Sequence, residues 1–289
     1  MIRNPLLLVP GLAVAAGLFA QAPKVEFPAP SPAATIRQRV GLTDVEVVYS
    51  RPGKKGRDVF TLLAPYGKVW RTGANTETRI TFSTAVKLNG ADIPAGTYGL
   101  FTIPGATEWT VIIDRNSKMW GAYTYDPKDD LVRIKATPVA LSEPVETFTI
   151  EFSDLHDTSA TVNLMWDKVR VPLTLEVDFV PQVVAQIDAV MAAPPPPKPY
   201  MSAAQFYLEY GLDLKKALAW VDTALAANPA AFYLDLLRAR ILAKMGDRNG
   251  AVTAARQAID LARKVADTEP AESAEYIRLS QDLIASLDK

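Results

Sequence analysis

Residues 169–179, VRVPLTLEVDF, alternate without a break: Val169, Val171, Leu173, Leu175, Val177 and Phe179 fall on one side, Arg170, Thr174, Glu176 and Asp178 on the other. In an extended chain, residues two apart share a face, so the stretch predicts a strand with one buried and one wet surface. Pro172 has no backbone donor, which points to an edge position or a bulge. Working outward, Phe148, Ile150 and Phe152 repeat the pattern against Thr147, Thr149 and Glu151. Further short runs rich in β-branched and aromatic residues stand at 45–49, 79–83, 97–103, 110–114, 131–136 and 161–166, separated by turn chemistry. Asn89-Gly90 suits a tight hairpin between Val86-Lys87-Leu88 and the run into Ile93, and Pro94-Ala95-Gly96 makes the next turn. No connection is long enough for repeated βαβ crossovers. The expectation is an all-β antiparallel sandwich of eight or nine strands over residues 36–180, preceded by an extended lead-in over 23–35.

A different grammar follows. Residues 181–193 suit a short helix, and the run PPPPKP at 194–199 stops it, because proline lacks the amide donor and disfavours helix in the residue before it. We therefore expect a short helix and proline-rich linker over 181–200 and an all-α domain over 201–289. Within that domain ALAWVDTALAANP, from Ala217, aligns with AVTAARQAIDLAR, from Ala251, 34 residues on. Ala217 and Ala224, like Ala251 and Ala258, lie seven apart on one helix face, where a methyl group lets a neighbouring helix come close. This part resembles tetratricopeptide repeats, although most of the large residues of the first repeat helix are missing. About two units are too few for a long peptide groove, which leaves packing and docking of a protein partner as alternative roles.

The chain has 289 residues, 49% hydrophobic and 22% charged, with a formal net charge of -1. That balance excludes disorder and argues against nucleic-acid binding, which needs a dominant basic surface. Residues 1–22 have the layout of a secretory signal, with Arg3, an apolar run from Leu6 to Phe19, and small residues at Ala20 and Ala22. A periplasmic or secreted protein with no membrane segment after cleavage is expected. The chain has no cysteine, so disulfides, thiol catalysis and cysteine zinc sites are excluded.

Against that neutral background, YSRPGKKGRDVFTLLAPYGKVWRTGANTET at 49–78 concentrates cations: Arg51, Lys54, Lys55, Arg57, Lys68 and Arg71 stand against the single acid Asp58 between Arg51 and Arg71. Clustered cations repel unless an anion or carboxylates lie opposite. The forks of Arg51, Arg57 and Arg71 suit paired hydrogen bonds to a carboxylate or phosphate, with Lys55 beside them and Gly53 and Gly56 freeing the backbone. The competing reading is that these cations pair with Asp58, Glu77, Asp126 or Asp130 and fasten a loop. In WRTGAN, Trp70, Arg71 and Asn75 combine a ring, a guanidinium and an amide, and Tyr66, Trp120, Tyr123 and Tyr125 complete an aromatic surface if WGAYTYD folds beside them. Such aromatics equally suit a core.

The motifs YSRPxxKGR and PYGxVWRTGAN, with ADIPAGTYGLFTIPG, EWTVIID and WGAYTYD downstream, resemble the secreted bacterial proteins grouped as domain of unknown function 2911, over about residues 32–180. The resemblance implies a β-rich secreted domain, often followed by a helical segment, and no activity. Catalytic arrangements are poorly represented. The one histidine, His156, lies in a turn, SDLHDTS; no serine carries a nucleophile signature, and Asp126, Asp129 and Asp130 lack the spacing of a calcium loop. No metal or cofactor is expected. The leading expectation is a noncatalytic binding protein for a small anionic or carbohydrate-like ligand at Arg51, Lys55, Arg57, Tyr66, Trp70, Arg71, Asn75, Trp120 and Tyr125. The alternatives are a hydrolase or lyase using the Arg/Asn cluster to stabilise an oxyanion, and an envelope assembly protein acting through its tail.

Overall fold

The computed structural model of the chain describes residues 27–194 and 198–288. The signal segment, residues 23–26 of the lead-in and residues 195–197 of the proline run lie outside them. The described residues form ten strands, β1 Ala33–Val40, β2 Thr43–Ser50, β3 Thr78–Phe82, β4 Val86–Leu88, β5 Ala91–Ile93, β6 Gly96–Ile103, β7 Trp109–Asp114, β8 Asp130–Ala136, β9 Val139–Ser153 and β10 Ser159–Val177, followed by helices. One sheet has the order β1-β2-β3-β6-β7-β8 and the other β5-β4-β10-β9. The architecture is the expected antiparallel sandwich followed by an all-α region.

The strand inventory differs from the expectation in two places. β1 begins at Ala33, inside the stretch taken as a lead-in, because an edge strand with a polar outer face carries little hydrophobic signal. The runs at 161–166 and 169–179 are one strand, β10. Asp167-Lys168, which has turn chemistry, is a bulge: Asp167 has φ +50° and the pairing with β9 shifts register on both sides of it. Pro172 lies just beyond the last β9 partner, Arg170 opposite Val139. The alternation itself holds, with Val171, Leu173, Leu175 and Val177 buried and Thr174 and Glu176 exposed.

The described residues divide into two compact units, one of residues 27–39, 44–155 and 159–175, the other of 40–43, 156–158, 176–194 and 198–288. In the first, Val47, Ile80, Leu100 and Ile113 of one sheet and Phe148, Ile150, Leu164 and Leu175 of the other are buried. One end of this core is aromatic: Trp70 stacks on Trp166 with centroids 5.5 Å apart and meets Phe148 at 4.9 Å and Trp109 at 6.5 Å. Such pairs contribute roughly 0.5–1.5 kcal/mol each beyond simple burial.

The second unit holds α1 Val180–Ala192, α2 Tyr200–Glu209, α3 Leu214–Ala227, α4 Phe232–Met245, α5 Arg248–Lys264 and α6 Pro270–Leu287. Asp213 caps α3 by accepting from the Lys215 and Lys216 amides, and Gly246, at φ +86°, ends α4 in the left-handed region. Ala217, Ala239, Ala251, Ala255 and Ala258 are fully buried, consistent with closely packed helices. No helix among the described residues is long and apolar enough to cross a membrane.

Candidate functional site

The outer face of the six-stranded sheet carries a cross-strand row, Val48, Arg79, Gly99, Asp114 and Asp130, set by successive strand registers. Gly99 is the gap in that row. A Cβ there would lie 2.6 Å from the Asn116 carbonyl oxygen, so only glycine lets the β7–β8 connection cross the sheet at this point. Asp114, fully buried, holds the start of the connection by accepting from the Asn116 amide at 2.7 Å. Its other oxygen is buried without a partner. Burial pushes this carboxyl up from its ordinary range; Asp130 and Asp129 add to the rise, and the Asn116 amide opposes it.

Beyond Gly99 the connection turns its apolar side inward. Met119 joins Phe101 and Ile112 in a small core, with Tyr125 and Ala122 against it. Its backbone then runs beside residues 75–77. Glu77 N donates to Met119 O at 3.3 Å, Met119 N donates to Glu77 Oε2 at 2.8 Å, Thr76 and Trp120 form a bridge, and Gly121 N donates to Asn75 O at 3.1 Å. The WGAYTYD segment therefore folds beside the WRTGANTET segment. Between them lies a hollow of about 400 Å³, with Thr76, Glu77 and Arg79 on one wall and Ser117, Lys118, Met119 and Trp120 on the other. That volume falls in the ~300–1,000 Å³ range of small-molecule sites. Trp120 is 65% exposed and Tyr123 83% exposed. Neither Arg79 nor Lys118 pairs with a carboxylate among the described residues.

Arg71 approaches from the far side of Gly121. A Cβ on Gly121, whose φ is +74°, would lie 2.8 Å from Arg71 Nη1 and 2.8 Å from the Tyr123 ring. The guanidinium and the ring thus close over bare backbone. Arg71 Nε is buried without a hydrogen-bond partner. Asn75, at φ +60°, donates from Nδ2 to Ser50 Oγ at 3.2 Å and to Ser31 O at 3.3 Å, so its amide holds the loop.

The remaining residues singled out from the sequence are placed elsewhere. Arg51 donates to Phe148 O at 3.1 Å and Thr149 Oγ1 at 2.7 Å, and Arg57 to Gly53 O at 2.8 Å and Lys54 O at 3.1 Å. Lys54 pairs with Asp167, and the Lys55 amide donates to Glu146 Oε1 at 2.7 Å while its side chain is exposed. Arg51 and Arg57 therefore spend their forks on carbonyl and hydroxyl oxygens and do not converge with Arg71. The expected carboxylates are committed too: Asp58 caps a turn at Phe60 and Thr61, and Asp130 takes Arg133 at 2.6 Å. Trp70 is a core residue whose indole N–H donates to Gly73 O at 3.0 Å, so it offers no outward platform. Tyr66 lies flat on Phe60 at 5.3 Å and is half exposed, apart from this cluster. Tyr125 packs on Phe101 and donates to Asp130 at 2.8 Å; its hydroxyl is pushed up to about 12, by burial first and then by that carboxylate. Of the residues named from the sequence, the fold brings together Arg71, Asn75 and Trp120.

Arg79, Lys118, Thr76, Glu77 and Ser117 were not legible as site residues. Arg79 does sit on the wet side of a strand alternation with Ile80 and Phe82, but its facing gap at Gly99 requires the register. His156 lies exposed in the β9–β10 turn as expected. No group of three or more histidine or acidic residues among the described residues is arranged to hold a metal ion.

Comparison with curated proteins and with solved structures gives no match. A family model does match, over residues 31–175, and covers both walls of the hollow, the glycine gap and the basic loop. The chain belongs to the family described as protein of unknown function, DUF2911.

Proposed function

We propose that the protein is a noncatalytic binding protein, periplasmic or secreted, that takes a small anionic or carbohydrate-like ligand in the hollow beside Trp120. The observation that carries this reading is the pairing of an exposed indole with two cations, Arg79 and Lys118, that meet no carboxylate among the described residues. Single exposed cations mean little, since solvent screens each of them. Here a third, Arg71, lies just across Gly121 and adds to the local positive charge, and an arriving anion would pair with the two cations that line the hollow. Catalysis is the weaker reading: the one carboxylate lining the hollow, Glu77, is itself buried and one of its oxygens is held by the Met119 amide. The helical region, which we read as tetratricopeptide-like, supplies packing or a surface for a protein partner.

A thermal-shift panel of carboxylates, phosphate, sulfate and sugars, run on the wild type and on an Arg79→Ala/Lys118→Ala variant, tests the site. A ligand at a hundred times its Kd should stabilise the wild type by about 2.7 kcal/mol and the variant by far less. Equal stabilisation of both proteins, or none of either across the panel, would sink the proposal.

A further inference from the structure

The geometry points to an acidic sugar, a uronate unit within an oligosaccharide, as the ligand class of this hollow; the inference rests on the binding reading above. Charge sets the first limit. Arg79, Lys118 and the buried Glu77 line the hollow, so its lining residues carry one net positive charge. That balance suits a single carboxylate better than a doubly charged phosphate monoester, which Glu77 would repel. The guanidinium of Arg79 suits the paired oxygens of a carboxylate, and Lys118 adds a point charge without fixed geometry.

The remaining lining sets the second limit. Trp120 presents an aromatic face on which the apolar C–H face of a pyranose can lie, while inorganic phosphate or sulfate gains nothing from it. The hydroxyls of Thr76 and Ser117 each donate and accept, matching ring hydroxyls that do the same. Tyr123 stands exposed three residues on from Trp120, so a second ring is available outside the hollow. One sugar inside and another outside favours a chain over a monosaccharide.

The test is isothermal titration of the full chain with oligouronates of the galacturonate, glucuronate and mannuronate types, their methyl esters, and inorganic phosphate. At least one oligouronate should bind, its methyl ester about tenfold or more weaker, and raised salt should weaken it further. Arg79→Ala and Trp120→Ala should each lose about tenfold with an unchanged melting temperature. Trp120→Phe should retain most binding, which guards against a misfolded alanine variant. Equal binding of ester and acid overturns the charge assignment. Phosphate binding that depends on Arg79 but not on Trp120, with no oligouronate bound, overturns the sugar class and leaves an anion site. Absence of any binding that depends on either residue overturns both this inference and the reading on which it rests.

Discussion

Asp235 offers the sharpest test of the packing. It lies in the first turn of α4, is 2% exposed, and has one carboxylate oxygen buried without a partner. The nearest compensation, Arg238 one turn on, is already bonded to Asp222 at 2.7 Å. Burial therefore dominates and pushes the carboxyl up from 3.8 to about 6, with Arg238 opposing. A folded pKa above the unfolded one means the folded state holds a proton that the unfolded state releases. The contribution is fully present below about pH 4 and is lost as pH rises through about 6. A shift of about two units corresponds to roughly 3 kcal/mol. Asp235→Asn keeps the shape and removes the charge, so above about pH 7 it should stabilise the helical unit. The gain should reach about 1–3 kcal/mol, because the new amide brings its own unmet hydrogen bonds. Below about pH 4 the gain should vanish. Urea unfolding of the full chain, followed by helical circular dichroism from about pH 4 to pH 8, reads the difference between variant and wild type, in which the other carboxylates cancel. A difference that stays flat across that range would refute the reasoning and show that the carboxylate is hydrated or otherwise compensated.

Other expectations follow from the sandwich and its hollow. Leu175→Asp places a charge at a fully buried position and should unfold the sandwich at room temperature, so a normal melting curve would contradict the β10 register. Gly99→Ala puts a methyl group 2.6 Å from a backbone oxygen; it should displace the β7–β8 connection, cost about 1–3 kcal/mol and weaken ligand binding, and unchanged amide chemical shifts over 115–121 would count against that crossing. Gly121→Ala strains a left-handed position and crowds Arg71 and Tyr123, so binding should fall with a stability loss of about 1–2 kcal/mol in denaturant titration. Arg51→Ala removes two hydrogen bonds to β9 and should cost about 1–3 kcal/mol while leaving ligand affinity intact; a loss of affinity at equal stability would return Arg51 to the binding site.

The fold was legible where one face is dry and the other wet. VRVPLTLEVDF announces its strand because Leu173 and Leu175 are sealed while Thr174 and Glu176 meet water. It was illegible where that contrast fails. Most residues of β1 keep partial or full exposure, and residues 139–144 of β9 are largely exposed where the pairing with β10 shifts register, so hydrophobic periodicity marks neither. The bulge at Asp167 shows the converse error, local turn chemistry absorbed within a continuous strand. In the candidate site, adjacency in sequence misled. Arg51 and Arg57 stand near Arg71 in the chain, but backbone carbonyls satisfy them, and the positions of carbonyls depend on the strand registers. Arg79 and Lys118 are 39 residues apart in sequence and meet through two backbone segments and the absence of one side chain, at Gly99.

The basic loop acquires a different meaning from its attachment to β9. That strand is an edge of the four-stranded sheet, and an open edge is a template on which another chain can grow. Leaving β2, the chain crosses to the opposite sheet and covers part of the edge: Phe148 N donates to Pro52 O, Gly53 bridges Thr147, and Lys54 N donates to Glu146 O. Beyond that cover, Glu143 and Pro144 bring a charge and a missing amide donor to the exposed stretch of β9. The Lys54–Asp167 ion pair and the Lys55 amide bond to Glu146 Oε1 add side-chain fastenings to that cover. The segment that looks in sequence like a trap for ligands is, in the fold, a clip that holds the connection leaving β2 against the edge of the opposite sheet.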